Sequence, residues 1–119
     1  ATTLKAKGLF KGATYDLGVF GTMSTPAAAE VIGLTDCVLA FGAGFNRFTT
    51  AHGSYLEGIR VVQIDDDIRQ LGRRHSPDAM LNGDPALVAK TIMQANRVEQ
   101  GEGHRVEEPN IGGAAGAEL

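Results

Sequence analysis

Three short clusters in this 119-residue chain carry side chains able to do chemistry. Asp65-Asp66-Asp67 sets three carboxylates in a row, and hard cations take carboxylate oxygens. Its place after an apolar run reads instead as one strand-end carboxylate, one solvated residue and one helix cap. Gly42-Ala43-Gly44 starts like a phosphate-cradling G-x-G-x-x-G, but Arg47 stands at the third glycine and no helix signal follows directly, so it reads as a turn. Arg73-Arg74-His75 could grip a phosphate or a carboxylate, and reads more simply as a solvated basic run at a helix end. His52, His75 and His104 lack metal-ligand spacing, and none pairs with Cys37 in a nucleophile arrangement. The sequence therefore offers no catalytic residue and no metal site.

The elements that would position these clusters alternate in the α/β manner. Thr2 to Ala6 reads as a short strand, followed by a glycine-punctuated loop to Gly21. Thr25 caps the next helix, Pro26 suits its first turn and Gly33 stops it. Asp36 to Phe41 is nearly continuous in apolar character, as for a parallel strand covered on both faces, with Cys37 a buried thiol. Residues 42–58 form a long loop, and Arg60 to Ile64 is the next buried strand. Asp67 and Gln70 make a capping-box-like pair opening a short helix before Gly72. Ala79 to Asn82 is a fourth strand, and Asp84-Pro85 starts a helix running to about Arg97, with Val88, Ile92 and Ala95 on the stripe toward the sheet. The predicted fold is a three-layer, Rossmann-like parallel sheet of about four strands with helices on its faces. Ligands on such sheets sit beyond the carboxyl ends of the strands, which places Lys5 to Gly8, Gly42 to Asn46, Asp65 to Asp67 and Gly83-Asp84 there.

Composition bounds the function classes. Residues 1–98 hold ten Lys/Arg against nine Asp/Glu, whereas 99–119 hold one Arg against five Glu, so neither part is a nucleic-acid surface. The chain divides into a domain over 1–98 and a flexible acidic tail or linker over 99–119. A single cysteine excludes an intramolecular disulfide, and no apolar run approaches the roughly 20 residues of a membrane span. With no signal-peptide pattern, the expectation is a soluble cytoplasmic protein with no membrane partner.

The same segments, in order and spacing, resemble the central domain of thiamine-diphosphate-dependent enzymes of the acetolactate synthase and 2-keto-acid decarboxylase type. The matching elements are Thr2-Thr3-Leu4-Lys5-Ala6-Lys7-Gly8 with Phe10, Leu17-Gly18 with Gly21, and Thr25 to Ala29. They continue with Gly42-Ala43 and Phe45, Ile64-Asp65-Asp66-Asp67, and Gly83-Asp84 before the last helix, covering about residues 2 to 95. The resemblance implies a domain lying between a pyrimidine-binding and a diphosphate-binding domain of a larger lyase or transferase, which would be a homo-oligomer. Thiamine diphosphate and magnesium would be bound outside this chain, where the cofactor decarboxylates a 2-keto acid. The chain lacks a Gly-Asp-Gly motif with a downstream Asn, and the activating glutamate has no counterpart. It is expected to be N-terminally incomplete, beginning after the domain's first strand and glycine loop, and not catalytic alone.

Central domains of this type hold FAD in acetolactate synthases, ADP in some relatives, and nothing in many members. Carried over by position, Thr3, Leu4, Gly21, Thr22 and Met23 would lie along a dinucleotide, Gly42 and Ala43 would admit its backbone, and Asp65, Asp67 and Asp84 would face the adenosine end. Gly44 departs from the FAD-binding pattern, which has Arg there. Two other readings accompany the scaffold: a free-standing ADP- or FAD-binding module, and a structural protein that pairs its open sheet edge with another chain.

Overall fold

A computed structural model describes residues 1–99 in two units, Ala1–Gly83 and a second beginning at Asp84, each described by itself. Of the tail expected over 99–119, Glu99 ends a helix and the rest lies outside the described residues. In the first unit, α1 (Pro26–Ile32) is followed by β1 (Cys37–Phe41), β2 (Arg60–Asp65) and β3 (Ala79–Asn82); α2 (Pro85–Glu99) belongs to the second.

The α1 start is built as its sequence dictates. Thr25 is extended (φ −72°, ψ 159°), its hydroxyl accepts from the Ala28 amide at 3.1 Å, and Pro26 takes a position where no amide is needed. Gly33 ends the helix in a right-handed conformation, and the chain leaves through tighter turns in which Leu34 donates to the Val31 carbonyl and Thr35 to that of Ile32. Thr25→Ala is expected to cost about 1 kcal/mol, read as a lowered midpoint in urea unfolding, because one amide of the first turn loses its acceptor.

The three strands form a parallel sheet in the order β1-β2-β3, with Val38 opposite Val61, Phe41 opposite Ile64 and Asp65 opposite Asn82. Val61 and Ile64 on the central strand are fully buried. Val61 packs with Ala40, Phe45 and Leu56, and Val38, Ala43 and Ile59 border this cluster. Asp78 extends the β2–β3 pairing, its amide donating to the Val61 carbonyl and its carboxylate accepting from the Val61 amide, both at 2.8 Å.

Three expectations are corrected. Thr2 to Ala6 is not a strand: Thr2 makes one parallel bridge to Val19, then Leu4–Ala6 turns as a single 3-10 turn, so the described residues hold three strands rather than four. β1 is not covered on both faces. It is an edge of the described sheet with Leu39 and Phe41 exposed, and Cys37 at its first position is exposed rather than buried. The segment after Asp67 forms successive turns instead of a helix. There the Asp67 carboxylate is bound by the Arg69 amide and guanidinium, leaving no reciprocal cap with Gln70, and Gly72 follows at φ 70°.

In the second unit α2 runs two residues past the expected Arg97, with Pro85, Val88, Ala89, Ile92, Ala95 and Val98 its less exposed positions. These recur at helical spacing, as the sequence pattern required. Among the described residues no helix is long and apolar enough to cross a membrane.

Candidate functional site

The carboxyl ends of β1, β2 and β3 lie at one end of the sheet, because all three strands run parallel. Their rim is closely tied. Gly42, at φ 73°, donates to the Ile64 carbonyl at 2.8 Å. The Asp65 carbonyl accepts from the Gly83 amide at 3.0 Å and from the Asn82 side chain at 3.1 Å. Asp65 is buried, with its carboxylate turned onto the Asp67 amide at 2.9 Å.

Asp67 is paired in fork geometry with Arg69, whose Nε and Nη2 each lie 2.9 Å from a carboxylate oxygen. The hydrogen bonds from the Arg69 side chain and then its amide hold the Asp67 carboxyl below its ordinary value of 3.8. A carboxyl lowered on folding favours the folded state above its unfolded pKa, and that contribution is lost as pH falls through the folded value. The pair is exposed, so the stability at stake is small. Titration of the Asp67 carboxyl carbon by NMR is expected to give a midpoint below 3.8 that returns toward that value in Arg69→Ala.

A second group gathers away from the strand ends in sequence. Leu4, Val19, Phe20, Thr22, Met23, Phe48 and Thr49 line a shallow depression of about 50 Å3. The 46–50 segment that forms one wall is built by Asn46, whose side-chain oxygen accepts from the Phe48 and Thr49 amides, both at 2.9 Å. Thr22 is tied to it twice, its amide and hydroxyl both donating to the Phe48 carbonyl. Gly21, at φ 117°, approaches so closely that a Cβ there would collide with the Phe48 and Thr49 carbonyl oxygens. This glycine lets its segment pack directly against the backbone of residues 48–49. Behind it, Ser24 Oγ and Tyr55 Oη lie 2.6 Å apart, and the Tyr55 ring meets Phe20 edge-on at 5.1 Å.

The structure places the residues singled out for a nucleotide as follows in the first unit. Gly42, Ala43, Asp65 and Asp67 form the strand-end rim, while Leu4, Thr22 and Met23 line the depression, flanked in sequence by Thr3 and Gly21. Asp84 caps α2 in the second unit, accepting from the Ala86 amide at 2.8 Å and more weakly from that of Leu87. His75 stacks edge-on against Phe45 at 5.7 Å, and Arg74 reaches the Gly44 carbonyl at 3.5 Å. His52 lies in the 46–53 turn at φ 59°, and His104 lies outside the described residues.

Against known proteins, residues 1–92 match the thiamine pyrophosphate enzyme central domain family. The chain belongs to that family. It is similar to the acetolactate synthase large subunit of Pyropia yezoensis, 31% identical over 94 residues, and to that of Porphyra purpurea, 28% identical over 94 residues. Each alignment covers 77% of this chain but only 16% of the relative, so the chain spans a small part of those proteins. No solved structure matches.

No group of three or more His, Cys, Asp or Glu side chains among the described residues is arranged to hold a metal ion. Asp84, the acidic residue of the Gly83-Asp84 pair, spends its carboxylate on the helix start. Asp65 and Asp67 are engaged by the chain's own amides and Arg69, and the depression beside Thr22 encloses about 50 Å3.

Reading the sequence passed over Gln63. It sits 1% exposed on the central strand, and its signal was a polar residue inside the apolar run Val61-Val62-Gln63-Ile64. Asn46 and Asp78, which build the wall of the depression and extend the β2–β3 pairing, carry no signal beyond the turn preference of their residue types.

Proposed function

We propose that this chain is the scaffold domain of a larger thiamine-diphosphate-dependent enzyme of the acetolactate synthase type, and that it does no chemistry alone. The observation that carries this reading is the family match over residues 1–92, joined to a rim whose carboxylates are already engaged by the chain's own amides and Arg69. In this reading the enzyme is a cytoplasmic homo-oligomer acting as a lyase or transferase on 2-keto acids. Thiamine diphosphate and magnesium are held by its other domains, and this domain fixes how those domains are spaced. The similarity to two acetolactate synthase large subunits supports the substrate class.

The test is turnover of pyruvate with thiamine diphosphate and magnesium supplied. The complete polypeptide is expected to release carbon dioxide in a cofactor-dependent manner, and the 119-residue chain to release none. Turnover by this chain alone, or a complete polypeptide that uses no 2-keto acid, would overturn the proposal. The binding-module alternative is separated by calorimetry: the scaffold reading predicts no saturable heat when the chain is titrated with FAD or ADP, and saturation with either would replace it.

A further inference from the structure

Gln63 is a neutral polar side chain buried at the centre of the sheet, where a carboxamide costs stability unless its hydrogen-bonding groups are matched. They are matched, and by two different segments. Nε2 donates to the Ala43 carbonyl at 3.3 Å and to the Gln70 carbonyl at 3.2 Å, and Oε1 accepts from the Gly72 amide at 2.9 Å. Both donors and one acceptor site of the carboxamide are therefore in use. Ala43 belongs to the turn leaving β1, whereas Gln70 and Gly72 belong to the turns leaving β2. One other hydrogen bond joins these segments, from exposed Arg74 to the Gly44 carbonyl at 3.5 Å, which is at the limit of such a contact.

We infer that Gln63 is a positioning residue, a buried latch that couples the Gly42–Gly44 turn to the Asp67–Gly72 turns so that the two strand-end segments open and close as one body. Each contact is to a main-chain group, so the latch acts on backbone position and not on the identity of the rim side chains. Opening either segment strips partners from the same buried carboxamide, and the penalty for leaving it unmatched falls on both at once. The rim then responds as a unit to whatever meets it, a property independent of the proposed activity.

Hydrogen–deuterium exchange on the complete polypeptide tests this, reading the Gly42 amide in a peptide over residues 38–47, the Gly72 amide in one over 66–75, and a reference peptide over residues 24–34, which holds α1. Gln63→Met keeps an unbranched side chain of similar length without the hydrogen bonds. It is expected to raise exchange at Gly42 and Gly72 by a similar factor, about tenfold or more, with little change in the reference. Arg74→Ala is expected to change neither. Acceleration of one segment alone, an equal rise in all three peptides, or the same effect from Arg74→Ala would overturn the inference. If Gln63→Met does not fold, the wild-type protein decides: exchange at Gly42 and Gly72 should follow one common dependence on added denaturant, and separate dependences would contradict the latch.

Discussion

Gly21→Ala is expected to destabilise the fold by roughly 3–5 kcal/mol, combining left-handed backbone strain with overpacking against main-chain atoms. The backbone at Gly21 has φ 117°, which side chains with a Cβ rarely adopt, and the added carbon would sit 2.6 Å from the Thr49 carbonyl oxygen and closer still to that of Phe48. Neither neighbour is a flexible side-chain end that could swing aside. The Phe48 carbonyl is also the acceptor for the Thr22 amide at 2.9 Å and its hydroxyl at 3.2 Å, so retreat of the 48–49 segment would break the contacts that hold it. Gly58→Ala isolates the strain from the collision. It too has a positive φ, 75°, but faces open space, and should cost only about 1–2 kcal/mol. Urea unfolding of both variants measures the difference; equal costs would show that the close approach at Gly21 does not constrain the fold.

The second large effect is expected at Leu56. This side chain is 3% exposed and packs with Ala40, Phe45 and Val61, joining the end of the 42–58 loop to the central strand. Leu56→Ala should cost about 2–5 kcal/mol, because the transfer free energy of the lost atoms is compounded by a cavity whose walls include a strand that cannot collapse inward. Against the usual total of about 5–15 kcal/mol, this is a substantial part of the stability of the whole fold. The same replacement at Leu34, which is 84% exposed, should change the unfolding midpoint little. A small effect at Leu56 would mean that the 42–58 loop is not part of the core.

Where local chemistry decides structure, the sequence was readable. Thr25 followed by Pro26 sets the α1 start, Asp84 followed by Pro85 sets that of α2, and the apolar run ending at Asp65 marks the central strand. Where long-range partners decide, it was not. Thr2 bonds only across its bridge to the Gly18 carbonyl and Phe20 amide, and the tightening at Leu4–Ala6 cannot be foreseen from a stretch whose residue types also suit a strand. The turns after Asp67 escaped because Arg69 captures the expected cap and Gln63, from the middle of another element, takes the Gly72 amide. The candidate nucleotide residues illustrate the same limit. Position identified Asp65, Asp67 and Gly21 as special, and the contacts they make within the fold, to the Asp67 amide, to Arg69 and against the Phe48 and Thr49 carbonyls, come from partners that sequence position does not reveal.

The scaffold role requires this domain to be one part of a larger enzyme. The intact mass of the native polypeptide, captured from its source cells with an antibody against residues 45–58, tests it most directly. A scaffold domain requires a mass several times the 12.5 kDa of this chain. A native polypeptide of about 12.5 kDa would contradict it and leave a small assembly or binding protein in its place.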